Sequence, residues 1–140
     1  MQITRQADYA LRAMIFLAQM EPNQRAATSQ IAEVQSIPPS FLAKIISQLS
    51  IAGLIHTSRG ARGGVSLARS PEEVSILEVV EAIDGPLSLN ECTQNPSVCP
   101  FGESCPLYEL WCTTQSELVE KLRNTSFAKF VNSPVLVPAI

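Results

Sequence analysis

The sequence predicts a mainly α chain with a small β-hairpin, and three patterns carry that expectation. Apolar residues recur at helical spacing in separate runs along the chain. Two short β-type runs flank a glycine-rich stretch at residues 59–64. An aperiodic, proline-punctuated segment holds most of the cysteines.

Residues 4–20 are predicted as the first helix, with Thr4 as its N-cap and Ala10, Met14, Leu17 and Ala18 along one apolar stripe. Glu21-Pro22-Asn23 stops it. Thr28 is placed to cap a short helix through about Val34, with Ile31 and Val34 facing inward. Ser36-Ile37-Pro38 breaks that helix, and Pro39 suits the first turn of the next. The third helix, about 39–52, puts Leu42, Ile45, Ile46 and Leu49 on one face. Ser40, Ala43, Lys44, Ser47 and Gln48 lie on or near the other, and Gly53 ends it. Two helices joined by a few residues, the second polar on its outer face, match a helix-turn-helix.

The following segment extends that pattern. Leu54–Thr57 is predicted as a strand and Val65–Leu67 as its return, with Arg59-Gly60-Ala61-Arg62-Gly63-Gly64 between them. A glycine-rich hairpin tip carrying two arginines directly after such a helix is a winged helix-turn-helix arrangement. Arginines there suit phosphate contact or a narrow minor groove, although a merely solvated hairpin would share the composition. Ser75 and Glu78 form a capping box for a helix carrying Ile76, Val79, Val80 and Ile83 and ending near Asp84-Gly85-Pro86. An irregular segment follows from about Pro86 to Ser104. A long helix, about 105–123, then aligns Leu107, Trp111, Thr114, Leu118 and Leu122, with Leu110 beside them. A stripe of that length beyond a finished domain suggests the same helix of a second subunit, or packing onto the chain's own core. Ser126–Val131 suits one more short helix, and the tail from Pro134 reads as irregular.

The expected organisation is a DNA-binding domain at 1–85, a cysteine loop at 86–104, and a dimerisation helix with tail at 105–140. A chain of 140 residues can bury a core without disulfides. No run reads as a signal peptide or membrane span, which suggests a reducing cytoplasm. The net charge of −3 hides an asymmetry: residues 1–70 hold seven basic and three acidic residues, residues 71–140 three basic and ten acidic. A basic front suits a polyanion such as DNA, with an effector or dimer region behind it. There is no paired acid/base constellation, phosphate loop or nucleophile beside a histidine, so an enzyme is not expected.

Cys92, Cys99, Cys105 and Cys112 are the chain's only cysteines and lie within 21 residues. Clustered soft ligands on a loop mark a metal or redox site. Iron–sulfur clusters favour thiolate, and Cys-Pro steps of the kind at Cys99-Pro100 and Cys105-Pro106 recur in cluster-binding runs. Cys105, at the expected start of the long helix, would have its thiolate favoured by the helix dipole. Structural zinc is an alternative without the usual close cysteine pairs. A disulfide switch and simple buried thiols are others.

Together these residues resemble the Rrf2 family of bacterial transcription regulators, from Met1 to about Val131. The carriers are Ile3-Thr4 with Asp8–Ala13, Ile31-Ala32, Leu42–Ile45 with Leu49, Ala52-Gly53-Leu54, Arg59-Gly60 with Gly63–Leu67, Ile76–Val80, and the C-x6-C-x5-C loop of Cys92, Cys99 and Cys105. The resemblance implies a homodimeric winged-helix repressor or activator. It also implies an iron–sulfur cluster held by those three cysteines, as in the nitric-oxide-sensing, iron-responsive and cluster-biogenesis branches. The cluster-biogenesis branch adds a histidine shortly after the third cysteine. Here Leu107 and Tyr108 stand there, which favours [4Fe–4S] over [2Fe–2S], and His56 belongs to the wing. In the nitric-oxide branch an aspartate on the first helix of the other subunit completes the site, and Asp8 matches it. Cys112 competes for that fourth place, about 10 Å along the helix from Cys105. DNA reading would fall to Ser40, Phe41, Lys44, Ser47 and Gln48, with Arg59 and Arg62 from the wing and Arg59 the stronger minor-groove candidate. A clusterless thiol-redox or partner-responsive regulator, and a zinc-binding structural module, are the competing functions.

Overall fold

The structure, a computed structural model, describes residues 2–134. Helix α1 (Arg5–Ala18) lies at its centre. The Thr4 hydroxyl caps it by accepting the Ala7 N–H at 3.1 Å. Ala7, Ala10, Ala13, Met14, Leu17 and Ala18 form its buried face, whose four alanines let α2 (Thr28–Gln35), α3 (Pro39–Ile51) and α4 (Ile76–Asp84) approach closely. Thr4 also donates to Asp84 at the far end of α4, so one residue caps α1 and fixes α4 against it.

Thr28 does not cap α2. It is the first helical residue, and Ala27 stands at the cap without a side-chain bond. Ala26 is held extended by exchanging hydrogen bonds with Val65 (2.9 and 2.8 Å), so the chain turns helical one residue earlier than local signals imply. Ser36 then adopts a left-handed conformation (φ 52°) and turns the chain into α3, which begins at Pro39 as expected. Leu42, Ile45, Ile46 and Leu49 are buried.

Strands β1 (Ile55–Ser58) and β2 (Gly64–Leu67) pair antiparallel, Ile55 with Leu67 and Ser58 with Gly64. The hairpin sits one residue further along β1 than expected, because the Leu54 N–H closes α3 on the Leu49 carbonyl at 3.0 Å. His56 is an exposed strand residue opposite Ser66. The Ser75–Glu78 capping box starts α4 as predicted, with both reciprocal bonds formed at 3.1 Å.

The cysteine segment is more ordered than expected. It holds a short helix α5 (Glu91–Gln94) and 3-10 turns at Pro96–Val98 and Gly102–Ser104. Helix α6 spans Tyr108–Arg123, starting three residues after Cys105. Cys99 and Cys105 each precede proline, which drives a residue out of the helical region. Both are extended (ψ 135° and 129°) at the ends of the two 3-10 turns. Cys105 therefore does not sit in the first turn of α6, and the dipole argument for its thiolate fails.

No residue of α6 is fully buried within the single chain. Val119 and Leu122 pack on Leu77, Val80 and Leu87, while Leu107 and Leu110 remain half exposed. Beyond α6 the chain returns to the core. The Ile76 N–H bonds the Thr125 carbonyl at 2.9 Å and the Phe127 N–H bonds Val74 at 3.1 Å. Phe127 opens a 3-10 turn (Phe127–Phe130) and is buried among the residues of the helix-turn-helix core. Gln19 holds that turn by donating to the carbonyls of Phe130 and Ser133. Of the expected irregular tail, residues 135–140 lie outside the described residues.

Candidate functional site

Two surfaces hold the residues that the sequence singled out. On the first, Ser40, Phe41, Lys44 and Ser47 are exposed on α3. Arg59 and Arg62 are exposed at the wing tip. A groove of about 530 Å³ runs between α3 and the wing. It is lined by Ser47, Ser50 and Ile51 on one side and by Thr57, Ser58 and Arg59 on the other. Hydroxyls and backbone N–H groups beside a cationic tip suit phosphate oxygens, and the outward side chains of α3 suit base edges.

Gln48 differs from its neighbours. It is half-buried, and its Oε1 is enclosed without a hydrogen-bond partner. Its partial burial leaves the amide less accessible than the exposed Lys44 and Ser47. Sequence reasoning missed Ile51, which is 85% exposed at the foot of α3. It also missed Arg25, whose guanidinium reaches across to the wing. Nothing local to either residue announces these positions.

The wing tip depends on glycine at two points. A Cβ on Gly63 would lie 2.3 Å from the Ser58 carbonyl oxygen, and Gly60 adopts φ 99°. The Gly63 N–H closes the turn on the Gly60 carbonyl at 2.9 Å. The tight turn leaves both arginine side chains at the exposed apex.

The second surface is the cysteine segment. Cys92, Cys99, Cys105 and Cys112 are all free and half-exposed. The Cys92 helix is fastened to α6 by Gln115, whose Oε1 accepts from the Leu89 N–H (3.0 Å) and the Thr93 hydroxyl (2.7 Å). The Tyr108 phenol is pushed above its ordinary value, with the hydrogen-bonding influence of the Cys112 thiol, one turn later on α6, as the largest cause. Desolvation and the charges of Cys112, Glu103 and Cys92 act in the same direction.

Three thiols on one short segment are a donor set suited to iron–sulfur ligation. Among the described residues, no three Cys, His, Asp or Glu side chains already converge closely enough to hold a metal ion. Cys92 lies within α5, and Cys99 and Cys105 each follow one of the two 3-10 turns. Asp8 does not join them within one chain. It is exposed on α1, with Oδ2 3.5 Å from Arg12 Nε. Arg12 in turn donates to the Gln35 carbonyl at 2.9 Å, at the C-terminus of α2, and lies 4.8 Å over the Tyr9 ring.

Comparison with known proteins is consistent across sequence and structure. Residues 3–133 match the Rrf2 family, described as iron-dependent transcriptional regulator. The chain is 37% identical over 108 residues to the HTH-type transcriptional regulator NsrR of Bacillus subtilis, covering 76% of this chain and 74% of that one. It is 35% identical over 108 residues to NsrR of Shouchella clausii, covering 76% and 72%. The solved structure of CymR, the global cysteine regulator of B. subtilis, superposes with a TM-score of 0.82 at 25% identity, covering 96% of this chain and 98% of that one.

Proposed function

The chain belongs to the Rrf2 family of DNA-binding transcriptional regulators, which are not enzymes, and from that premise we propose that it is a homodimeric switch controlled by an iron–sulfur cluster. In this reading Cys92, Cys99 and Cys105 of one subunit and Asp8 of the other hold the group, [4Fe–4S] in preference to [2Fe–2S]. Residues 1–85 read operator DNA, 86–104 hold the cluster, and 105–140 join the subunits. The setting is cytoplasmic. Among the described residues, no helix is long and apolar enough to cross a membrane.

The observation that carries the proposal is the mechanical connection between the thiol loop and the DNA-binding core. Gln115 fastens the Cys92 segment to α6, and α6 ends in the Phe127 anchor among the core residues of α1 and α3. A change of loop shape therefore bears on α6 and, through it, on the placement of α3 and the wing. When bound, the cluster would supply an iron held by a weaker carboxylate ligand and open to nitric oxide or oxidant. The half-exposed Leu107 at the N-cap of α6 and Leu110 on it support the dimer, since two copies would cover them. Ser40, Phe41, Lys44, Ser47 and Gln48 would face the major groove, and Arg59 and Arg62 the backbone or minor groove.

Anaerobic purification tests the cofactor. The expected result is a coloured protein with iron and acid-labile sulfide in equal amounts, lost in Cys99→Ser. Zinc without sulfide would favour the structural zinc module. A mixed dimer with Asp8→Ala in one subunit and Cys92→Ser in the other tests the shared site. It retains one complete site if Asp8 ligates across subunits and none if Asp8 ligates its own subunit's loop, while full cluster content in the Asp8→Ala homodimer would remove Asp8 from the ligand set.

A specific observation favours a second reading. All four thiols are free and half-exposed, and among the described residues no three donors converge on a metal position, an arrangement suited to a clusterless thiol-redox or partner-responsive regulator. A colourless, metal-free protein whose DNA affinity changes with thiol oxidation would select it.

A further inference from the structure

We propose that Arg25 is a positioning residue of the DNA interface, bracing the wing so that Arg59 and Arg62 are held ready at its tip; this rests on the reading of the wing as a DNA contact. Arg25 lies before α2, outside both the recognition helix and the hairpin. Its Nη1 donates to the Ser58 hydroxyl at 2.9 Å and to the Arg62 carbonyl at 3.2 Å. Ser58 is the last residue of β1, and Arg62 lies just before β2. One guanidinium nitrogen therefore spans the two ends of the tip.

The backbone next to Arg25 is built into the same unit. Ala26 exchanges both hydrogen bonds with Val65 as an isolated antiparallel bridge, which fastens the chain beside Arg25 to β2. Gly64 makes the approach possible. A Cβ there would stand 2.7 Å from the Ala26 carbonyl oxygen and 3.2 Å from Arg25 Cβ. A two-stranded hairpin alone is marginal in water, and Gly60 and Gly63 give this tip extra backbone freedom. A tip left loose in the free protein would have to be ordered on binding, at a cost in affinity. The brace meets that cost during folding.

The brace needs the shape of arginine, not only its charge. Both bonds leave Nη1, and a lysine side chain ends one bond short of that nitrogen in a compact, strongly hydrated ammonium. Arg25→Lys is therefore expected to behave like Arg25→Ala, both binding about tenfold more weakly.

The test uses the full chain and the duplex that the wild-type protein selects from a random-sequence pool. Dissociation constants are measured for wild type, Arg25→Ala, Arg25→Lys, Arg59→Ala and the Arg25→Ala/Arg59→Ala double variant. A positioning role predicts a loss in the double variant that falls clearly short of the product of the two single losses, and faster tryptic cleavage after Arg59 and Arg62 in free Arg25→Ala. Losses that multiply in the double variant, or full binding by Arg25→Lys, would mean that Arg25 touches DNA itself and would overturn the proposal. Wild-type binding by Arg25→Ala would overturn it as well. Wild-type binding by Arg59→Ala would instead remove the wing reading beneath it. Should Arg25→Ala fail to fold, Ser58→Ala removes one acceptor and should give a smaller loss, again reduced on the Arg59→Ala background.

Discussion

The Tyr9 ring meets the Phe41 ring edge to face, with centroids 6.1 Å apart and planes inclined by 61°. This contact ties α1, one residue past Asp8, to the exposed face of α3. Arg12 covers the Tyr9 ring and bonds the Gln35 carbonyl just before the turn into α3. Asp8, Arg12, Tyr9 and Phe41 thus form one contiguous cluster between the proposed ligand and the proposed reading helix.

The cluster should behave as a unit in stability. Tyr9→Ala, Phe41→Ala and the double variant, compared by urea unfolding, should give a coupling of about 0.5–1.5 kcal/mol. Additive losses would mean that the rings merely lie near each other.

Phe127 should be among the costliest positions in the chain. It is 1% exposed, lies 6.4 Å from the Phe130 ring and bonds Val74 through its backbone. Phe127→Ala should lose about 3–5 kcal/mol in chemical denaturation. A loss below about 1 kcal/mol would show that α6 is not anchored through this residue.

Much of this fold was legible because its signals are local. The Ser75–Glu78 capping box, Thr4 at the first cap and Pro39 at the start of α3 each act within one helical turn. The delayed start of α6 follows from an equally local rule, the restriction that Pro106 places on Cys105. The return of Phe127 to the core and the pairing of Ala26 with Val65 have no local signature, since the partners are distant in sequence. The exposed wing arginines and the four-thiol segment were also legible. Gln115 as the fastener of Cys92, and Arg25 as a residue of the wing, were not.

Tyr108 offers a test of the thiol neighbourhood in metal-free protein. Its phenol is raised by the hydrogen-bonding influence of Cys112 first, so the neutral form is favoured in the folded chain. The resulting stability is present below the usual tyrosine range and is lost as pH rises through the raised value. On a Tyr9→Phe background, Cys112→Ala should move the ultraviolet phenolate titration down toward its ordinary position. An unmoved titration would separate Cys112 from Tyr108.

Cluster-controlled DNA binding is tested most directly by operator affinity measured on one anaerobic preparation, before and after stoichiometric nitric oxide, with iron and sulfide counted in both states. The account predicts a cluster-loaded protein whose affinity changes at least tenfold as the cluster is lost, an effect of about 1.4 kcal/mol. It further predicts that Cys92→Ser holds the cluster-free affinity throughout. Equal affinity with and without the cluster would contradict it.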